Sequence, residues 1–250
     1  MTQINKTLNV LVTGGTRGIG REISRMIAEK HVCRMFLNYV QNDEEAQRAK
    51  TIVEGLNCEA ALLKYNISNP DMIDAMFNEV GKYTSKLDIL IHCAAINSFK
   101  PLTRIKPNQW DLIMNVNARG FLYCVQKCLP LMNKGCIVAI SSLGSRKFIP
   151  NYGSLSQTKS ALESLVRDLG AELAPRGIRV NGITAGIVGT EAVSRFPVPK
   201  LVIEEVLRRT PAGRIGSFAD IANLVEFLIS PKSDWIIGQN IVIDGGYSLT

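Results

Sequence analysis

Long hydrophobic runs are absent from this sequence of 250 residues. No apolar stretch approaches the roughly 20 residues that a helix needs to cross a bilayer, so no membrane partner is expected. The first residues, MTQINKTLNVLVTGG, lack the charged start, apolar centre and small-residue cleavage site of a secretory signal. The sequence therefore predicts a soluble, cytoplasmic protein.

Histidine is scarce, and cysteine occurs without the paired spacing of a metal site. His31 and His92 are the two histidines. The six cysteines are scattered among apolar residues, at Cys33, Cys58, Cys93, Cys124, Cys128 and Cys136. Cys124 and Cys128 would lie one turn apart on a helix, which is a spacing that could suggest a metal. Buried, reduced thiols of an intracellular protein are the simpler interpretation, and we predict no metal site.

Runs of basic residues are also missing, although 29 Lys and Arg against 22 Asp and Glu give a net charge of +7. Because the basic residues are dispersed and are not interleaved with aromatic residues, we predict no nucleic-acid partner. Two interpretations of the excess charge stay open. It is either a solvated surface or a means of attracting an acidic partner or substrate.

Short apolar runs alternate along the chain with amphipathic segments. The predicted strands are 8–13, 35–39, 60–66, 89–94, 136–141, 179–184 and 240–244, and the predicted helices are 21–30, 44–54, 71–83, 109–131, 158–174 and 218–228. This alternation predicts an α/β fold with one Rossmann-type, doubly wound parallel sheet and helices on both faces. Residues 187–211, with FPVPK, break the periodicity and are predicted to be loop and short helix that form the substrate region.

The segment VLVTGGTRGIGREI places Gly14, Gly18 and Gly20 in a tight turn between the first strand and the first helix. Because glycine has no side chain, the backbone can approach a pyrophosphate, which the positive N-terminus of the helix then stabilises. A purely structural turn is the alternative, but the position between strand and helix favours a dinucleotide site. We expect Thr16 and Ile19 of the same turn to contribute to it.

No Asp or Glu stands at the end of the second strand, where Asn38 and Tyr39 occur. An acid there binds the 2′-hydroxyl of NAD and would repel a 2′-phosphate. Arg17, inside the glycine turn, supplies a cation for that phosphate, although Gln41 and Asn42 stand where a second basic residue would be expected. The sequence therefore favours NADPH over NADH, with Arg17, Asn38 and Tyr39 among its contacts.

Four segments together resemble the short-chain dehydrogenase/reductase family: TGGTRGIG, the AISS of 139–142, the RVNGITAG of 179–186 and GQNIVIDGG near the end. The resemblance covers essentially the whole chain, and it implies one dinucleotide-binding and catalytic domain over residues 1–250 that assembles as a homotetramer. It also implies cofactor contacts at Asn66, Ile67, Cys93, Ala94, Gly186, Ile187 and Thr190. Asn66 and Ile67 would flank the adenine, and Ile187 and Thr190 would bind the nicotinamide carboxamide.

The catalytic positions of the family map to Asn117, Ser142 and Lys159, but the tyrosine departs from the common pattern. The family usually places it four residues before the lysine, a position that Leu155 occupies here. The nearby tyrosine is Tyr152, seven residues before Lys159. This Tyr-x6-Lys spacing, with the surrounding SSLGSRKFIPNYGSLSQTKSALESL, resembles enoyl-acyl-carrier-protein reductase III of bacilli.

A displaced tyrosine has a chemical reason. In carbonyl reduction the acid must reach the oxygen of the carbon that receives the hydride, whereas in enoyl reduction the charge develops on the thioester oxygen, further along the substrate. If the segment is helical, a three-residue displacement moves the hydroxyl by up to about 4.5 Å. We expect the Lys159 ammonium to lower the pKa of Tyr152 and to hold the nicotinamide ribose. Ser142 would either donate to the developing enolate or order water.

The sequence thus predicts an NADPH-dependent enoyl-thioester reductase that acts on an acyl chain held by acyl carrier protein. Carrier proteins are acidic, which would give the +7 charge a function, and Arg176 falls where related ketoacyl reductases have a basic residue for docking. Two alternatives stay open. One is a 3-ketoacyl-thioester or other carbonyl reductase of the same family, and the other is an NADP-binding protein without turnover.

Overall fold

A sheet of seven parallel strands is the centre of the fold. The structure is a computed structural model that describes residues 7–56, 58–189 and 199–250. The strands are β1 (Leu8–Thr13), β2 (Cys33–Tyr39), β3 (Glu59–Lys64), β4 (Ile89–His92), β5 (Gly135–Ser142), β6 (Ile178–Ala185) and β7 (Asn240–Ile243). Their order in the sheet is β3-β2-β1-β4-β5-β6-β7, and every neighbouring pair is parallel.

Helices cover both faces of this sheet. They are α1 (Gly18–Lys30), α2 (Asp43–Glu54), α3 (Pro70–Tyr83), α4 (Pro107–Met114), α5 (Gly120–Cys128), α6 (Leu155–Leu173), α7 (Pro199–Arg209) and α8 (Phe218–Ile229). Because side chains alternate along a strand, Val10 and Val12 enter a core with α1, α2 and α8, whereas Leu11 enters a second core with α3, α5 and α6. The predicted doubly wound α/β fold is confirmed.

The seven predicted strands and five of the six predicted helices are present with small shifts at their ends. Two regions differ from the prediction. The predicted helix 109–131 is divided into α4, a π-turn at Asn115–Arg119, α5 and a 3-10 turn at Leu129–Leu131. In the predicted substrate region, α7 is a full helix, and residues 190–198 lie outside the described residues.

The winding of the sheet reverses at β1, which pairs with β2 on one side and with β4 on the other. In sheets of this type, ligands bind in the crevice outside the carboxyl ends of the strands at such a reversal. The residues at these ends are Thr13 on β1 and His92 on β4, which face each other in the register. The candidate site is therefore expected at this edge of the sheet.

One pair of cysteines contradicts the prediction of six reduced thiols. Cys33 and Cys58 form a disulfide, with Cα atoms 4.8 Å apart. The register of β2 and β3 pairs Arg34 with Glu59. Cys33 and Cys58, which immediately precede these two residues in the chain, are therefore side by side. Cys124 and Cys128 are buried free thiols. Within the described ranges, no three His, Cys, Asp or Glu side chains form a group suited to a metal, and no helix is long and apolar enough to span a membrane.

Candidate active site

The glycine turn between β1 and α1 has the conformation that its sequence requires. Gly14 and Gly18 have φ values of 64° and 52°, in the left-handed region that favours glycine. A Cβ on Gly20 would lie 2.1 Å from the carbonyl oxygen of Gly14, so a larger residue there would force the turn open. The turn also packs closely on the segment after β4, because a Cβ on Gly14 would lie 2.9 Å from the Cα of Ala94.

The same turn fits a pyrophosphate. A Cβ on Gly18 would meet nothing within 4 Å, so open space lies in front of the first residue of α1. The first turn of α1 carries no acidic residue, and its N-terminal cap, Arg17, is exposed and makes no side-chain hydrogen bond or ion pair with another described residue. Thr16 is buried and Ile19 half-buried beside it. The free N–H groups and the helix dipole at this end favour a bound anion.

At the end of β2, the two predicted contacts to the adenosine end of the cofactor have protein partners. The Asn38 amide is buried and donates to the carbonyls of Leu63 and Tyr65, so it holds β2 to the end of β3. The Tyr39 hydroxyl donates to Asp43, which also accepts from Lys64 at 2.6 Å. Burial and the Asp43 carboxylate raise the pKa of Tyr39 to about 12. Asp43, an acid just after β2, is therefore already paired with a cation.

The residues after β3 and β4 line the same edge. Asn66 accepts from the N–H of Ser68, and Ile67 is buried beneath it. Cys93 is half-buried, and the N–H of Ala94 donates to the Thr13 hydroxyl at 3.3 Å. Burial raises the pKa of Cys93 to about 11, so it is a neutral thiol near neutral pH.

His92 is a residue that the sequence analysis did not assign to the site. It is fully buried at the end of β4, where its Nδ1 and the Thr13 hydroxyl are hydrogen-bonded at 3.1 Å. Its Nε2 is buried and has no hydrogen-bond partner among the described residues. Burial, with the charge of Lys159 nearby, lowers the pKa of His92 to about 3. The available signal was a polar residue at the carboxyl end of a buried strand next to the winding reversal.

Tyr152 and Ser142 come together at the end of β5. Their hydroxyl oxygens are 2.8 Å apart and hydrogen-bonded. The Tyr152 ring lies over Gly144, where a Cβ would be 2.6 Å from the ring, and its edge contacts Phe99, with the ring centroids 6.3 Å apart. Because Gly144 carries no side chain, the ring can occupy this position and aim its hydroxyl at Ser142.

Tyr152 precedes helix α6 rather than lying in it, so the distance given above for a helical segment does not apply. Its neighbours Asn151 and Gly153 have φ values of 57° and 58°, and these two left-handed residues fold the chain into a turn before α6. Leu155, at the usual tyrosine position of the resembled family, is the first residue of α6 and is buried. The turn, not a helical repeat, sets where the phenol lies.

Lys159 is 4% exposed and donates to the Ile140 carbonyl at 2.7 Å. Burial lowers its pKa to about 8. Burial also raises the pKa of Tyr152, and the hydrogen bond from Ser142 opposes this only in part. The expectation that Lys159 would lower the pKa of Tyr152 is therefore not met, because the cost of burying a phenolate outweighs the other influences.

Asn117 lies in the π-turn Asn115–Arg119, which interrupts the predicted helix. Its side-chain oxygen accepts from the N–H of Ile96, and its amide donates to the Ile96 carbonyl and the Thr158 hydroxyl, all at 2.9–3.0 Å. Single π-turns in helices often occur at functional sites. Here the turn places an amide that joins the loop after β4 to α6.

The predicted nicotinamide contacts follow β6. The N–H of Gly186 donates to Ile243 on β7, and the half-buried Ile187 accepts from the N–H of Gly216. Both backbone bonds fix the chain as it leaves the sheet. Thr190 lies outside the described residues.

A family model described as enoyl-(acyl carrier protein) reductase matches residues 14–248 of this chain. The chain belongs to the short-chain dehydrogenase/reductase family. The match includes the glycine turn, Ser142, Tyr152 and Lys159. The protein is an oxidoreductase of this family, whose enzymes use a nicotinamide cofactor.

Relatives of this short-chain dehydrogenase/reductase span nearly its whole length. A 1-cyclohexenylcarbonyl-CoA reductase of Streptomyces collinus is 33% identical over 96% of this chain and 86% of its own. A 3-oxoacyl-[acyl-carrier-protein] reductase of Staphylococcus aureus is 32% identical over 96% of this chain and 98% of its own. A crystal structure described as a short-chain alcohol dehydrogenase from Sinorhizobium meliloti has a TM-score of 0.92 at 27% identity and covers 98% of both chains.

Proposed function

We propose that this short-chain reductase transfers a hydride from NADPH to the β-carbon of a trans-2-enoyl thioester whose acyl chain is held by acyl carrier protein. The observation that carries the proposal is the position of the acid. A phenol, Tyr152, is hydrogen-bonded to Ser142 from a turn before α6, while the buried Leu155 occupies the usual tyrosine position.

This arrangement suits a charge that develops away from the reacting carbon. Carbonyl reduction needs an acid at the oxygen of the carbon that receives the hydride, and Leu155 offers none at the usual position. Enoyl reduction needs a proton donor or hydrogen bonds at the thioester oxygen, which is three bonds away from the β-carbon that receives the hydride. One of the paired hydroxyls of Tyr152 and Ser142 donates to the other, so the pair presents one free O–H to that oxygen and the second hydroxyl supports it.

The protonation states support the same roles. The bound NADPH supplies the hydride. Because burial raises the pKa of Tyr152, the phenol keeps its proton at neutral pH and has it available to donate. Lys159 has a pKa of about 8 and is cationic at neutral pH, which suits a group that holds the hydroxyls of the nicotinamide ribose. Asn117 holds the loop after β4 through two hydrogen bonds to Ile96 and is itself joined to α6 by a third to Thr158, so we assign it to positioning rather than to proton transfer.

NADPH is preferred over NADH in this proposal because of charges at the adenosine end. Arg17 is exposed and makes no side-chain hydrogen bond or ion pair with another described residue, so its guanidinium is available to a 2′-phosphate. Asp43 is engaged by Lys64 and Tyr39, which weakens its repulsion of that phosphate. Charge-assisted contacts to phosphate are the stronger class of hydrogen bond.

The acyl carrier and the homotetramer are also proposals. The net charge of +7 favours an acidic carrier. Arg176, which the resemblance suggested for docking, is exposed, but its guanidinium also reaches the carbonyls of Leu129 and Met132 at 3.3 and 3.5 Å. It therefore caps the end of the α5 segment in addition to any contact with a carrier.

The relatives make 3-oxoacyl-thioester reduction the second candidate. The Streptomyces collinus reductase is named for a cyclohexenylcarbonyl thioester, and the Staphylococcus aureus 3-oxoacyl reductase matches this chain almost as well.

The test follows NADPH oxidation with a trans-2-enoyl thioester and, separately, with a 3-ketoacyl thioester of the same length. We expect turnover of the enoyl substrate and poor turnover of the ketone. The reverse preference would refute the enoyl assignment, and NADPH binding with neither turnover would favour a binding protein.

A further inference from the structure

Beside the catalytic residues, one carboxylate collects hydrogen bonds from three parts of the fold. Glu163 lies on α6, one helical turn after Lys159. One of its oxygens accepts from the hydroxyls of Ser141 at the end of β5 and Thr184 at the end of β6, both at 2.7 Å. The same oxygen accepts from the Ser145 hydroxyl, and the other oxygen accepts from the Arg146 guanidinium at 3.1 Å. The Glu163 side chain is only 12% exposed.

These donors enclose the segment that carries Ser142. Ser141 precedes it on β5, and Ser145 follows it in the 3-10 turn Leu143–Ser145. The Ser145 hydroxyl also lies 2.8 Å from the Ser142 carbonyl, so its one proton is shared between this carbonyl and Glu163. The carboxylate therefore fixes the backbone on both sides of the hydroxyl that meets Tyr152. Removing it would leave the buried hydroxyls of Ser141 and Thr184 without their acceptor, which is costly for buried groups.

The carboxylate is also the negative charge next to Lys159. Burial favours protonation of Glu163, but hydrogen bonds from Ser145, Thr184, Ser141 and Arg146 outweigh it and lower its pKa, so the group is ionised at neutral pH. This charge raises the pKa of Lys159 against the larger effect of burial. Residues three or four apart on a helix are neighbours, which accounts for the coupling.

The other titratable groups around Lys159 do not change protonation state, and stay uncharged, between about pH 6 and 9.5. They are His92 and Cys93 at the end of β4, and Tyr152 ahead of α6. The pKa of His92 is lowered to about 3 by burial, and the pKa of Cys93 is raised to about 11 by burial. Burial also raises the pKa of Tyr152. A titration in that interval therefore reports on Lys159.

We propose that Glu163 is a positioning residue for the reaction, which fixes the Ser142 turn through its hydroxyl contacts and holds Lys159 in its cationic form. The proposal rests on the catalytic roles given above to Ser142 and Lys159. A merely structural role for Glu163 would change stability and overall rate, but it would leave the pH dependence of Lys159 unchanged.

The test compares Glu163→Gln with wild type by the pH profile of kcat/KM, and by NMR titration of Lys159 in cofactor-free protein labelled with [13Cε]lysine. Glutamine keeps the shape and removes the charge. We expect the alkaline limb and the NMR midpoint to move to lower pH by on the order of one unit. The control is Glu172→Gln, which removes an exposed carboxylate from the same helix and should move neither.

Arg146→Gln tests the opposite sign and serves if Glu163→Gln does not fold. Arg146 is half-exposed, and its loss leaves the Glu163 charge less neutralised, so the Lys159 midpoint should rise. A uniform loss of activity in Glu163→Gln with an unmoved midpoint, or an unmoved or lowered midpoint in Arg146→Gln, would overturn the proposal. The NMR midpoints need no substrate, so they decide this question even if the enoyl assignment fails.

Discussion

Removing one oxygen atom from Tyr152 separates a catalytic role from a structural one. In Tyr152→Phe the ring can stay over Gly144 and beside Phe99, because those contacts involve ring carbons. Among the described residues, the lost interaction is the 2.8 Å hydrogen bond to Ser142, whose hydroxyl still accepts from the N–H of Gly144 at 3.4 Å. A hydrogen bond of this kind contributes about 1 kcal/mol to stability. In a chain of this size that is a fall in Tm of about 2–4 °C.

The expected effect on turnover is much larger. Loss of a positioned acid lowers kcat by about 10²–10⁴. This corresponds to about 2.7–5.4 kcal/mol of transition-state stabilisation, several times the cost to folding. The affinity for NADPH should change little, because Lys159 and the glycine turn are intact.

The assay is kcat with the enoyl thioester, alongside NADPH titration and thermal unfolding of the same preparation. Tyr83→Phe is the matched control, since it removes the same atom from an exposed tyrosine at the end of α3 that packs against Phe36. It should leave kcat unchanged. If Tyr152→Phe kept kcat within about threefold of wild type, Tyr152 would not be the acid, and water ordered by Ser142 would become the next candidate.

Three further substitutions have expected outcomes. Arg17→Ala should weaken NADPH binding by about 10- to 150-fold, which is equivalent to about 1.5–3 kcal/mol, and should leave NADH binding unchanged. Equal affinities of the wild-type protein for the two cofactors would contradict the proposed preference. Lys159→Met should abolish turnover and weaken NADPH binding. The same variant should be more stable than wild type at pH 7, because the lowered pKa of Lys159 means that folding buries an unfavourable ammonium. This gain in stability should shrink between pH 8 and 10.5, where the folded wild type already has a neutral Lys159. Gly144→Ala should push the Tyr152 ring away and lower kcat by about 10²-fold with the fold retained. The control is Gly81→Ala, whose added methyl group meets open space on α3 and should leave kcat unchanged. A fully active Gly144→Ala would show that the ring position is unimportant.

The strands and helices could be predicted because each has a period that burial imposes. Near-continuous apolar runs such as 8–13 and 136–141 correspond to strands covered on both faces, and the three- and four-residue steps of 158–174 correspond to the buried face of α6. Two local features were not predicted from the periodicity. The π-turn at Asn115–Arg119 keeps an apolar pattern close to that of a regular helix. Helix α7 is amphipathic, but it begins inside the FPVPK segment, at Pro199.

The chemistry of the site was predictable only where a motif carries it. The glycine turn and the residues Ser142, Tyr152 and Lys159 were identified from patterns, and their catalytic roles stay predictions. Contacts across the sheet were not readable, since they depend on register between segments far apart in sequence. The Cys33–Cys58 pair is one case, and the bonds of Glu163 to Ser141 and Thr184 are another.

The π-turn between α4 and α5 also fixes the length of the chain at that point. A π-turn holds one residue more than an α-helical turn, and each residue turns a helix by about 100°. Deleting one residue from Asn115–Arg119 would restore a regular helix, but it would rotate α5 against α4, so that the buried Cys124 and Cys128 would leave the core. The segment therefore tolerates substitution better than a change of length, and a single deletion there is expected to cost both the fold and the amide of Asn117.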